Sequence, residues 1–208
     1  MAVDLTWVLH QTEGQFFERK SCIDRSGVKP KRRAARDVAG DIAETLSAMA
    51  NADGGVLVIG IEDDGAVTGA DYPEDRIKVL TSAPKTHVRP ALRARVTQGV
   101  LEGKPVVLFE VDWSMECHQL TDGRYLLRVD DKNVPFQAGD IEAMKEGKRR
   151  RVTETRFVTE ATLGDLELSL VSGLAERLHV QASPEEVLAR YRLAEGRNGK
   201  TALTLAAL

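Results

Sequence analysis

The stretch Gly54-Gly55-Val56-Leu57-Val58-Ile59-Gly60-Ile61 constrains the fold more than any other part of the chain. It is apolar and β-branched without a polar residue every second place, so it does not read as a strand with one wet face. It reads as a central strand buried on both faces. Such a strand needs a neighbour along each edge for its backbone groups and a layer over each face. One layer lies directly upstream. Val38, Ile42, Leu46 and Met49 recur every three or four residues with Asp37, Asp41 and Glu44 elsewhere on the wheel, the pattern of a helix ending near Asn51. Asn51, Gly54 and Gly55 then form the structural motif that turns helix into strand. Turn chemistry accounts for these residue types, and a close backbone approach to a phosphate would also use them.

The remaining elements follow from similar signals. Residues 16–22, 93–98, 105–111 and 124–129 read as strands, and 4–11, 73–83 and 139–145 as helices. Asp64-Gly65 reads as a hairpin turn, and Arg25 to Arg36 as a basic loop broken by glycine and proline. The expectation is an α+β domain over residues 1–150, a mixed β-sheet flanked by helices. Lys145, Lys148, Arg149, Arg150 and Arg151 then make a charged hinge into a mainly helical extension over 151–208. In that extension Asp165–Leu178 is amphipathic, Ser183-Pro184-Glu185-Glu186 is a helix start with its capping box, and Arg197-Asn198-Gly199 is a turn. Leu203 to Leu208 read as the first turn of an apolar helix with no cap, so the chain is expected to be cut from a longer protein.

Composition narrows the function classes. A net charge of −3 excludes whole-chain attraction to polyanions, so a nucleic-acid case must rest on a local patch. Two cysteines, Cys22 and Cys117, make neither a disulfide framework nor a zinc pattern. With no signal peptide or membrane span, the expected location is the cytoplasm.

The basic loop supplies the patch. Lys20, Arg25, Lys29, Lys31, Arg32 and Arg33 are the candidate nucleic-acid-binding residues, dense enough in charge to attract phosphates and interleaved with no aromatic that would stack bases. A solvated surface loop is the plainer reading of the same residues. Carboxylates supply the case for an enzyme. Glu13, Glu18 and Asp63 would share a magnesium or manganese ion if their strands are neighbours; Asp64-Gly65 as a turn and Glu18 as an ion-pair partner are the competing readings. Binding itself requires no cofactor. Ala194 to Thr201 nearly fits a phosphate-binding loop but lacks its first glycine and a preceding strand, so ATP hydrolysis is not expected of this chain.

Glu13-Gly14-Gln15-Phe16-Phe17-Glu18-Arg19-Lys20 resembles the opening of Schlafen AlbA-type (divergent AAA) domains, with Arg19 where an aromatic is usual. Ala48-Met49-Ala50-Asn51-Ala52-Asp53-Gly54-Gly55 and the strand after it resemble the core of that family, and Cys117-His118 with Tyr125 to Val129 its later strand pair. The resemblance implies a nucleic-acid-binding module, DNA before RNA, in a transcriptional regulator or defence-associated protein. It also implies a first alternative, a metal-dependent endoribonuclease in which Glu13, Glu18 and Asp63 would be catalytic. An oligomerisation module, its helical extension pairing with a copy of itself to form a homo-oligomer, is the second alternative.

Overall fold

The computed structural model describes residues 4–208 except 138, 155, 156, 159, 178–182, 192, 198 and 199. The chain divides into two units, Met1–Met144 and Lys145–Leu208. In the first, a 3-10 turn at Thr6–His10 precedes β1 (Phe17–Lys20), β2 (Ile23–Asp24), β3 (Lys31–Arg32), α1 (Ala35–Asn51) and β4 (Gly54–Ile59). Then come α2 (Glu74–Thr86), β5 (Val88–Arg89), β6 (Arg95–Leu101), β7 (Lys104–Asp112), β8 (Gln119–Leu120), β9 (Leu126–Val129) and β10 (Lys132–Pro135). The helix α3 (Asp140–Glu154) crosses the boundary between units.

The main sheet runs β1-β4-β7-β6. β1 is parallel to β4, with Glu18 beside Leu57, and the other pairs are antiparallel, so the sheet is mixed and the fold is α+β. The apolar run of β4 is explained by cover on both sides. Leu57 and Ile59 join Val38, Ile42, Leu46 and Met49 of α1 in one core, while Val58 packs with Leu5, Val8 and Phe17 in a second core on the opposite face.

α1 ends where the Ala52 amide bonds back to Ala48 and Met49. The reversal then depends on Gly54, whose φ is +83°. A Cβ there would sit 2.7 Å from the Val111 carbonyl oxygen and 2.8 Å from the Trp113 nitrogen, both backbone atoms. Gly54→Ala is therefore expected to lower unfolding free energy by about 2–3 kcal/mol. Gly65→Ala, at φ +88° with open space around it, should lose only about 1 kcal/mol. Urea melts of the two variants check the difference.

The second unit continues α3 and adds β11 (Phe157–Val158), α4 (Leu168–Arg177), α5 (Pro184–Arg190), β12 (Ala194–Arg197) and β13 (Lys200–Thr204). The expected charged hinge is helical. Glu146 pairs with Arg149 and Arg150 one turn on, and such pairs support a helix. Ser183 caps α5 as its sequence requires, its hydroxyl accepting from the Glu186 amide at 3.2 Å. The chain end differs from expectation. Lys200–Thr204 is a strand in a sheet ordered β11-β13-β12, and Leu205–Ala207 is a 3-10 turn. Leu203 is fully buried with Leu188 and Ala194. An apolar run of this length fits helix or strand by local pattern, and pairing decides it. The near-phosphate-loop segment is thereby the β12–β13 hairpin; the turn expected at Arg197-Asn198-Gly199 falls partly outside the described residues. No described helix is long and apolar enough to cross a membrane.

Candidate nucleic-acid interface

The basic segment is a small hairpin and not an irregular loop. Ile23 pairs with Arg32 and Asp24 with Lys31, and residues 25–30 form an exposed tip. Asp24 shapes the base of the tip by accepting from the Ser26 hydroxyl at 2.6 Å and the Ser26 amide at 2.9 Å, which hold its carboxyl below the usual range.

The six candidate cations separate into two groups. Lys20, Arg32 and Arg33 are engaged by neighbouring groups, Lys20 and Arg33 half-buried and Arg32 still exposed. Lys20 pairs with Glu18. Arg32 donates to the Gly69 carbonyl at 3.1 Å and lies 5.2 Å from the centre of the Tyr72 ring. Arg33 pairs with Asp41 at 2.7 Å, and that bond raises its already high pKa. Arg25, Lys29 and Lys31 are on the hairpin and exposed. Arg25 reaches Glu62 at 3.3 Å, Lys31 reaches Asp24 at 3.5 Å, and Lys29 makes no hydrogen bond or ion pair with any described residue. Exposed pairs of this kind hold their cations weakly. Below the hairpin, Asp24, Lys31, Arg32, Arg33, Ala34 and Asp37 line a shallow recess of about 370 Å³.

The three candidate carboxylates are not brought together. Glu13 accepts the Arg19 amide at 2.8 Å and so caps the outer edge of β1. Glu18 is buried on the α1 side of β1, with Lys20 and Arg128 against its two oxygens. Asp63 stands in an exposed turn six residues past Leu57, the neighbour of Glu18 in the sheet. Among the described residues no three His, Cys, Asp or Glu side chains are gathered to hold a metal. As placed, the trio does not fit a divalent cation, because Glu18 already faces two cationic side chains.

Arg128 is the member of this site that the sequence reading missed. It is among the largest fully buried side chains of the described residues, and every arm of its guanidinium is used. Nε and Nη2 donate to the Gly14 carbonyl at 3.1 and 2.9 Å, Nη1 donates to Asn133 Oδ1 at 3.0 Å, and Nη2 also meets Glu18. The signal was present: with Leu126 inward on a two-residue period, Arg128 had to be inward too. Glu62 is likewise structural. Burial pushes its carboxyl up, but hydrogen bonds from Ser21, Thr68 and Arg25 outweigh burial and hold it below the usual range. Burial pushes the Cys22 thiol up to about 11, so it is no activated nucleophile.

Asn51 of the turn motif has a use beyond turn geometry. Its Nδ2 donates to the carbonyls of His118 (2.8 Å) and Leu126 (2.9 Å), and its Oδ1 accepts the His118 amide at 2.8 Å. One buried amide thus ties the end of α1 to β8 and β9. Gly54 and Gly55 serve close approach of chain to chain: a Cβ at Gly55 would meet Met49 Sδ at 2.8 Å.

The Schlafen, AlbA_2 family pattern matches residues 13–137, which span every residue named above from Glu13 to Asn133. The chain belongs to the Schlafen, AlbA_2 family. It is also similar in fold to the DIP2311 protein of Corynebacterium diphtheriae, with 22% identity and a TM-score of 0.52. That match covers 93% of this chain and 34% of the other, so this AlbA_2 chain spans about a third of DIP2311's length. A second solved structure is the N-terminal domain of an ATP-dependent DNA helicase RecG-related protein of Nitrosomonas europaea. It has 24% identity and a TM-score of 0.37, covering 52% of this chain and 72% of that one. No curated protein matches the chain.

Proposed function

We propose that this AlbA_2 chain is a nucleic-acid-binding module that grips phosphates through the β2–β3 hairpin. The observation that carries the reading is the set of three exposed cations, Arg25 and Lys29 on the tip and Lys31 on the adjoining strand of the hairpin. Family membership supports it. The hairpin bears no element suited to reading base edges, so the expected binding is sensitive to salt and tolerant of sequence. DNA is the first candidate and RNA the second.

Lys29→Ala with Lys31→Ala removes one cation with no partner among the described residues and one held only by a long, exposed pair with Asp24 at 3.5 Å. Titration of a labelled duplex at several salt concentrations should show weaker binding and a salt slope reduced by about 2. An unchanged slope would refute the hairpin. The metal-dependent nuclease reading finds less support, since its carboxylates are apart and Glu18 is already paired. Manganese-dependent cleavage that disappears in Glu18→Gln would restore it.

A further inference from the structure

The two edges of the main sheet are treated in opposite ways. β1 is short, three of its four residues are charged, and its outer backbone is closed by the chain itself. The Gly14 amide bonds the Phe17 carbonyl at 3.0 Å, and the Glu13 carboxylate takes the Arg19 amide at 2.8 Å. β6, at the other edge, is seven residues long. From Val96 to Leu101 it has no charge and no proline, which are the usual defences of a sheet edge. No described residue other than those of β7 hydrogen-bonds to its backbone.

Pairing arithmetic identifies the open groups. β6 and β7 are joined by the two-residue turn Glu102-Gly103, at φ +49° and +75°, so Leu101 and Lys104 form the hydrogen-bonded pair that closes the hairpin. Alternation then directs Gly99, Thr97 and Arg95 towards β7 and leaves Val96, Gln98 and Val100 with their amides and carbonyls outward. These three residues are symmetric about Gln98.

We infer that β6 is a self-pairing edge, and that its occupant is the β6 strand of a second copy running antiparallel across a two-fold axis at Gln98. In that register Val96 faces Val100 of the other copy, twice, and Gln98 faces its own counterpart. All six outward backbone groups are satisfied, and no two like charges meet. Val100, 67% exposed in the single chain, is covered by an apolar neighbour. The parallel alternative offers no such closure, because a two-fold pair of strands in one sheet is antiparallel. The inference does not depend on the nucleic-acid reading.

An interface of this length belongs with weak, transient ones, so the expected dimer dissociates in the micromolar range. Sedimentation velocity of the full chain, from about 5 to about 300 µM, should show a reversible monomer–dimer equilibrium. Val100→Lys, a change at an exposed position, should weaken it at least about tenfold while circular dichroism stays that of the parent. Oxidation gives the register. Gln98→Cys should cross-link to itself, since paired Cα atoms lie about 5.5 Å apart. Val100→Cys should not, its two copies being about 13 Å apart along the strands. The parent chain, which has a partly covered Cys117, is the control. A chain monomeric throughout overturns the proposal. So does a dimer indifferent to Val100→Lys, or cross-linking at 100 as fast as at 98, since copies would then meet elsewhere.

Discussion

Arg128→Met should destabilise the first unit by about 3–5 kcal/mol, among the largest effects of any single change in the chain. The methionine fills much of the volume, so the loss is electrostatic. Glu18 stays buried with only Lys20, itself partly exposed, as a counterion. The Gly14 carbonyl loses its guanidinium donors, and Asn133 Oδ1 loses its donor too. A buried ion pair contributes little net stability while both members are present, but removing one leaves the desolvation of the other uncompensated. The asymmetry gives the test. Arg128→Met with Glu18→Leu should recover more than half of the loss, because the orphaned charge is gone. Urea melts of the two single variants and the double variant measure the coupling. A double variant no more stable than Arg128→Met would show that Glu18 and Arg128 do not act as a pair.

The same pair marks the limit of what the sequence reveals. Glu18 was conspicuous because it lies in an aromatic strand beside Lys20, and a carboxylate there suggests either a metal or an ion pair. Choosing between them requires the partner, and Arg128 lies 110 residues away in the chain. No local pattern carries that distance. What was legible is what is periodic. The stripe Val38–Ile42–Leu46–Met49 and the near-continuous run Val56–Ile61 predict a helix against a central strand, and both lie as expected, the strand ending at Ile59. The β2–β3 hairpin was illegible because its strands are two residues each and the surrounding glycine and proline read as loop. The strand Lys200–Thr204 was illegible for another reason: its neighbours β11 and β12 create the preference, not its own residues. For the interface, charge density located the segment, but only the fold divides Arg25, Lys29 and Lys31 from Lys20, Arg32 and Arg33, which are held by Glu18, by the Gly69 carbonyl and Tyr72 ring, and by Asp41.

Asn51→Leu is expected to cost about 3–5 kcal/mol, although the side chain is close in size and the site is apolar around it. Three buried backbone groups lose their partner at once: the His118 amide, the His118 carbonyl and the Leu126 carbonyl. None is replaced by water without opening the core between α1 and β9. Asn51→Asp separates this account from simple loss of packing. It keeps an acceptor for the His118 amide but turns an oxygen towards two carbonyls that need a donor. The introduced carboxyl is buried, so its pKa rises above the unfolded value, near about 3.9. A raised folded pKa means that its favourable contribution is present below the unfolded value and lost as pH rises through the folded one. Relative to the parent chain, the deficit of Asn51→Asp should therefore grow from pH 4 to pH 7, about the window of such a shifted carboxyl, while that of Asn51→Leu stays flat. Parallel deficits for the two variants across that window would mean that packing, and not the three hydrogen bonds, makes Asn51 matter.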